Sequence, residues 1–262
     1  MLCVPAILDK KSILLTSPTG SGKTLAGFLG IFAFTLRRVF ESPVLAVVEV
    51  PPQNAKRMRQ GATEVQSLGH GVSLWHVYDS SAKADLWSST VETDEGRLFI
   101  DPVTLHATAL EQLTDRRPII GVAVTNENHT RQSKAFAEEF SVPIFAGADL
   151  ADLIDFSRLT PVTGGTLLAG DIEVVAIDGA ARGEVAFYVP HAGRTLIVGD
   201  ALINFEPYGF TFLPSKYCLD AKLMRRSLRQ LLPFDFERIL FAHGAPLLSA
   251  AKRKLEQLLD KV

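Results

Sequence analysis

Two spacings of apolar residues alternate along this chain. Short apolar or alternating runs of the kind that make strands are separated by stretches with an apolar residue every three or four positions, the helical spacing. Residues 12–16 form the first apolar run, and a turn-rich segment leads to Gly22. Residues 23–40 read as a helix ending in Arg37 and Arg38, cations that suit the negative end of a helix dipole. A second apolar run, 44–50, stops at Pro51 and Pro52, which can continue neither a helix nor a central strand. Residues 53–71 are polar and end in Gly69-His70-Gly71, which predicts a linker.

From residue 72 the pattern becomes regular. It predicts strands at 73–78, 86–93 and 97–100, the last two joined by a hairpin turn at Asp94-Glu95-Gly96. A helix over 104–114 follows, with Thr104 as its cap, then a β-branched strand over 118–125 and a helix over 130–140. Further strands are expected at 142–146, 167–177, 184–189, 194–198 and 238–242. Helices are expected at 149–156, 219–232 and 246–259. Strands alternating with helices predict a layered α/β domain.

Composition narrows the function classes. Lys plus Arg number 27 and Asp plus Glu 29, a net charge of −2, so no global basic excess exists to grip a nucleic-acid backbone. The two cysteines, Cys3 and Cys218, are far apart and form neither a disulfide framework nor a zinc spacing. The most apolar stretch, 25–34, is half the length of about 20 residues that a bilayer span requires. These features lead us to expect a soluble, cytoplasmic protein with a small-molecule ligand and no membrane or nucleic-acid partner. They leave the oligomeric state open.

Ser17-Pro18-Thr19-Gly20-Ser21-Gly22-Lys23-Thr24 has the form of a phosphate loop between an apolar run and a helix. Backbone N–H groups near Gly20 and Gly22 would wrap phosphate oxygens, Lys23 would reach the terminal phosphates, and Thr24 would hold magnesium. The segment resembles the first motif of DEAD-like superfamily-two helicases, which implies ATP and magnesium binding. The acidic second motif and the arginine finger of a motor are missing, so residues 1–52 read as a helicase-like fragment, 53–71 as a linker, and 72–262 as the main domain.

In that domain three landmarks occur in order: Thr125-Asn126-Glu127-Asn128-His129-Thr130-Arg131 after a strand, Gly199-Asp200 at a strand end, and His243-Gly244-Ala245-Pro246. The run from Arg97 to Asp101 adds an apolar strand ending in an aspartate. Together they resemble the metallo-β-lactamase superfamily, which implies a four-layer αββα sandwich and hydrolase chemistry at a metal site. Carried over by position, most of the family's ligands are replaced. Two histidines become Asn126 and Asn128, the aspartate becomes Thr130, the next histidine becomes Arg131, and the middle histidine becomes Ala180. Asp200 and His243 remain.

Two readings of this degenerate site follow. In one, His129 joins Asp200 and His243 to hold a single zinc, iron or manganese ion with an open coordination position. In the other, the pocket works without metal: Arg131 pairs with Asp200, and Asn126, Asn128, His129 and His243 offer hydrogen bonds to a small, anionic molecule. Either a hydrolase or a non-catalytic binding protein would result. The aromatic stretch after Asp200 adds Tyr208, Phe210, Phe212 and Tyr217 as candidate walls and Lys216 as a candidate anion contact. Cys218 reads as a small apolar residue and Arg225, Arg226 and Arg229 as a solvated helix face.

The phosphate-loop reading has a direct check. Titration with a fluorescent ATP analogue should show saturable binding that Lys23→Ala abolishes; equal signals from both proteins eliminate nucleotide binding through this loop.

Overall fold

A computed structural model describes residues 61–115, 117–154 and 157–261. The phosphate-loop segment, including Gly20, Gly22, Lys23 and Thr24, lies outside the described residues. The first sheet has seven strands in sequence order: β1 (Gln66–Gly69), β2 (Val72–Asp79), β3 (Ala84–Glu92), β4 (Arg97–Ile100), β5 (Ile119–Ala123), β6 (Ile144–Gly147) and β7 (Leu159–Val162). Pairing is antiparallel from β1 to β4 and parallel from β4 to β7. Helices α1 (Ala107–Thr114) and α2 (Ser133–Phe140) make two of the crossovers that parallel pairing requires.

The second sheet contains β8 (Leu167–Leu168), β9 (Ile172–Ala176), β10 (Val185–Val189), β11 (Thr195–Val198) and, after a hairpin and a helix, β14 (Arg238–Phe241). Its spatial order is β14-β11-β10-β9-β8, with β11 and β14 parallel. The hairpin is β12 (Leu202–Phe205) with β13 (Gly209–Phe212). Helices α3 (Ala221–Ser227) and α4 (Ala251–Leu259) follow.

Side-chain alternation stacks these elements into four layers. On β4, Leu98 and Ile100 join the core between the sheets, while Phe99 joins the core under α1 and α2. On β11, Ile197 points between the sheets, and Leu196 and Val198 join the core with Met224 of α3 and Leu255 of α4. β10 repeats the pattern, Val185 and Phe187 inward and Ala186 outward. A strand buried on both faces reads as a near-continuous apolar run, and after Arg97 and Thr195 at their starts β4 and β11 do. The order is helices, sheet, sheet, helices: the expected αββα sandwich.

Several boundaries move for identifiable reasons. Residues 66–69, inside the segment that reads as a linker, form β1 and pair with β2. The helix expected from Thr104 starts at Ala107, because the Thr104 carbonyl accepts a hydrogen bond from the Ala62 amide (2.9 Å) instead of starting a helical ladder. The helix expected from Thr130 starts at Ser133, since Arg131 has a left-handed backbone (φ 35°). The long strand expected over 167–177 is broken into β8 and β9 by Ala169 and Gly170, both at positive φ. The hairpin β12–β13 falls in the aromatic stretch that the pattern leaves as a loop.

Phe187 is fully buried between the sheets. Phe187→Ala should cost about 3–5 kcal/mol of stability in urea unfolding; a loss under 1 kcal/mol would mean that the two sheets do not share this core.

Candidate metal centre

The parallel pairs in both sheets end at the same place. Val198 of β11 is in register with Phe241 of β14, and two residues beyond each come Asp200 and His243. In the other sheet Ile100 of β4 is in register with Ala123 of β5, and Asp101 and Thr125 follow. A short 3-10 turn, Glu127–His129, then carries His129 back over these strand ends, its start capped by the Asn126 side chain accepting from the Asn128 amide (2.8 Å).

Three ligand atoms converge there. His129 Nε2 lies 3.4 Å from His243 Nε2 and 3.3 Å from Asp200 Oδ1, and His243 Nε2 lies 3.3 Å from the same oxygen. His129 and Asp200 are buried, and His243 is partly open to solvent. Among the described residues this is the one group of three or more such side chains close enough to hold a metal ion.

Around the three, buried polar side chains form a network. Asp200 Oδ2 accepts from Asn128 Nδ2 (2.9 Å) and Asn126 Nδ2 (3.2 Å). Asn126 Nδ2 also donates to Glu184 Oε2 (2.6 Å), whose other oxygen accepts from the Ala201 amide (3.0 Å). On the far side of His129, Nδ1 is 3.1 Å from Asp101 Oδ2 and 2.7 Å from Thr125 Oγ1. Close packing demands Gly199: a Cβ there would lie 2.6 Å from Thr125 Oγ1 and 2.8 Å from Glu184 Oε1. Gly244, at φ 105°, lets the chain after His243 pass against the carbonyl of Asn204.

The electrostatics follow from burial against pairing. Burial and the Arg131 charge work against a charged His129, yet Asp200 and Asp101 on either side outweigh them and raise its pKa to about 9. Burial also opposes ionisation of both aspartates, but His129 and their other partners hold Asp101 below, and Asp200 well below, the usual carboxylate range. Glu184 is the exception. Burial first, then the Asp200 charge, raises it to about 8.

Arg131 does not pair with Asp200 as the metal-free reading expects. Its Nη1 donates to the Trp87 carbonyl (2.6 Å) and the Asp101 carbonyl (3.1 Å), and its Nη2 is buried without a partner. The left-handed backbone at Arg131 turns the side chain toward β3 and the end of β4. Lys216 and Tyr217 sit on an exposed 3-10 turn, Ser215–Tyr217, where the Lys216 ammonium lies over the Tyr217 ring (4.6 Å) and neither residue bonds to the cluster. Ala180, in the place of the family's middle histidine, is fully buried. Cys218 packs against Met224 (3.7 Å between sulfurs), and Arg225 covers the Phe212 ring. Thr125 opens the first landmark motif but is not marked there as a site residue, and Glu184 lies in no motif; only burial of a carboxyl beside Asp200 marks it. A cleft of about 590 Å³ lies between Trp87 and Lys83 on one side and Phe205, Glu206 and Gly244, the residue after His243, on the other.

The αββα sandwich thus places a His-Asp-His cluster at the carboxyl ends of its parallel strands. The metallo-β-lactamase superfamily model matches residues 67–262, and the chain belongs to that superfamily. The fold is similar to DIM-1 metallo-β-lactamase, with a TM-score of 0.61 at 14% identity over 76% of this chain and 98% of that one. A metallo-β-lactamase from Pontibacter korlensis gives 0.59 at 16% identity, covering 76% and 99% of the two chains. A metallo-β-lactamase family protein from Thermus thermophilus gives 0.55 at 17%, covering 74% and 80%. Identities this low speak to fold alone. No curated protein matches the chain in sequence. No helix among the described residues is long and apolar enough to cross a membrane.

Glu184 sets a pH dependence whose sign is fixed. Its carboxyl keeps a proton to about 8 in the fold but releases it near 4.5 in the unfolded chain. Between those values the folded state binds the extra proton, so this group's stability contribution is full below about 4.5 and is lost as pH rises toward 8. In chelator-treated protein, Glu184→Gln should flatten the fall in stability over that window, by an amount on the order of a few kcal/mol. Parallel stability–pH curves for the two proteins would show that Glu184 is not held protonated.

Proposed function

We propose that this chain is a hydrolase that works with one divalent metal ion, zinc, iron or manganese, held by His129, Asp200 and His243, and acts on a small molecule. The observation that carries the reading is the spacing of the three ligand atoms. Bonds of about 2.0–2.2 Å to a tetrahedral ion place neighbouring ligand atoms about 3.3–3.6 Å apart. The three separations are 3.3, 3.3 and 3.4 Å. They exceed the 2.7–3.2 Å of ordinary N–H···O hydrogen bonds, and the set of two imidazoles and a carboxylate suits zinc, iron or manganese.

Three protein ligands leave one position of a tetrahedral ion free, which is the arrangement of a catalytic rather than a structural site. An ion held there would supply a Lewis acid and lower the pKa of a water at the open position. The protein's own groups restrict the site to one ion. The second oxygen of Asp200, which would bridge to a neighbour, is already occupied by the amides of Asn126 and Asn128. Asn126, Asn128, Thr130 and Arg131 stand where further ligands would be needed, and a guanidinium offers no lone pair to a metal. The cleft beside Gly244 has the volume of a small-molecule site, and its walls of Trp87 and Phe205 offer apolar faces to a substrate.

One observation favours the competing reading, a ligand-binding protein without metal. Lying between two carboxylates, His129 keeps its charge to about 9, so the cluster is also satisfied as an ion-paired network. Metal content separates the two. Protein purified without chelator should carry close to one zinc, iron or manganese per chain by elemental analysis. Asp200→Ala, His129→Ala and His243→Ala should each reduce it to near zero. Chelation should abolish hydrolysis of a reactive ester or amide substrate, and one equivalent of metal should restore it. A metal-free protein with the three variants indistinguishable from the parent would leave only the binding module.

A further inference from the structure

His129 stands one position away from the family's ligand positions on its loop, so something must turn its ring into the cluster with the correct nitrogen bare. We propose that Asp101, acting with Thr125, is the positioning residue that makes His129 a metal ligand. The inference rests on the one-metal reading above and concerns which ring nitrogen carries the proton.

The hydrogen bonds settle the direction. Asp101 Oδ1 accepts from the Thr125 amide (2.8 Å), and Asp101 Oδ2 lies 2.6 Å from Thr125 Oγ1 and 3.1 Å from His129 Nδ1. Thr125 Oγ1 and His129 Nδ1 are 2.7 Å apart. Three atoms thus form a closed triangle inside the protein. A carboxylate only accepts, so the single hydroxyl proton of Thr125 goes to Asp101 Oδ2. The hydroxyl oxygen then accepts from His129, and His129 Nδ1 must carry a proton. Were the threonine proton turned to Nδ1 instead, Asp101 Oδ2 would face two lone pairs at 2.6 and 3.1 Å with no hydrogen between. With Nδ1 protonated, the neutral ring has its bare nitrogen at Nε2, the atom that meets Asp200 and His243. Metal-binding histidines commonly have their second nitrogen fixed in this way by a carboxylate.

Asp101 is itself held in place. Its backbone is left-handed (φ 48°), its amide donates to the Ala123 carbonyl (2.9 Å), and its carbonyl accepts from Arg131 Nη1. Arg131 thereby acts as a strut behind the pair. Asparagine tolerates the left-handed region, so Asp101→Asn changes one acceptor into a donor while keeping shape and backbone. In that variant the new amide donates to Thr125, the Thr125 proton turns to Nδ1, and the ring's proton moves to Nε2, where it blocks the metal.

The test is zinc affinity, measured by chelator competition on the full chain, beside the melting temperature of the metal-free protein. The expected result is that the parent binds one zinc and Asp101→Asn binds it about 10–100-fold more weakly. Thr125→Val, which removes the hydroxyl that fixes the proton direction, should weaken binding several-fold and carries the test should Asp101→Asn not fold. Unchanged zinc affinity in whichever variant folds, with only the melting temperature lowered, overturns the proposal by making the pair merely structural. A parent that binds no zinc, iron or manganese overturns the one-metal reading and this proposal with it, an outcome visible before either variant is made.

Discussion

The register of one parallel strand pair governs the site. β11 and β14 run side by side in step, so the residues two beyond their last paired positions, Asp200 and His243, leave the sheet as neighbours. A slip of one residue would turn every side chain of β14 to the opposite face, moving Leu240 out of the inter-sheet core. Apolar packing therefore fixes the chemistry: the alternation that buries Ile239 and Phe241 under the outer helices also sets where His243 emerges. The β4–β5 pair does the same in the other sheet for Asp101 and Thr125.

Burying so much charge at one end of a sandwich is tolerable only when each group faces a partner. His129 lies between Asp101 and Asp200, Asp200 is capped by two amides, and Arg131 spends one arm on backbone carbonyls of two strands. Glu184 meets the demand differently, by staying protonated. The cluster reads as one network, so removing a member exposes its neighbours to the cost of an unpaired buried group.

The fold was legible because its signal is redundant. β4, β5, β11 and β14 are short apolar runs ending in polar landmark residues, and both layers of helices carry the helical period. What stayed illegible depended on backbone conformation. Nothing in Thr130-Arg131 announces a left-handed residue, so the pattern predicts a helix where a turn brings His129 inward and sends Arg131 to Trp87. Asp200, His243 and His129 could be singled out by position and residue type. The role of Thr125, though it opens the first landmark, and that of Glu184 could not be read, since both arise from neighbours distant in sequence, Asp101 for one and Asn126 for the other. The aromatic stretch after Asp200 reads as candidate pocket walls in a loop, and it folds into a hairpin instead.

β14 is an edge strand, paired within its sheet to β11 alone, and it delivers His243. His129 belongs to the other sheet, 114 residues earlier in the chain. An ion shared by these two histidines is therefore a long-range cross-link. It would remove conformational freedom from the unfolded chain as a covalent bridge of that span would, and it would tie an edge strand to the opposite layer. Metal availability would then act on the stability of the folded molecule as well as on its chemistry, because a group that binds only the folded state stabilises it in proportion to the logarithm of its concentration.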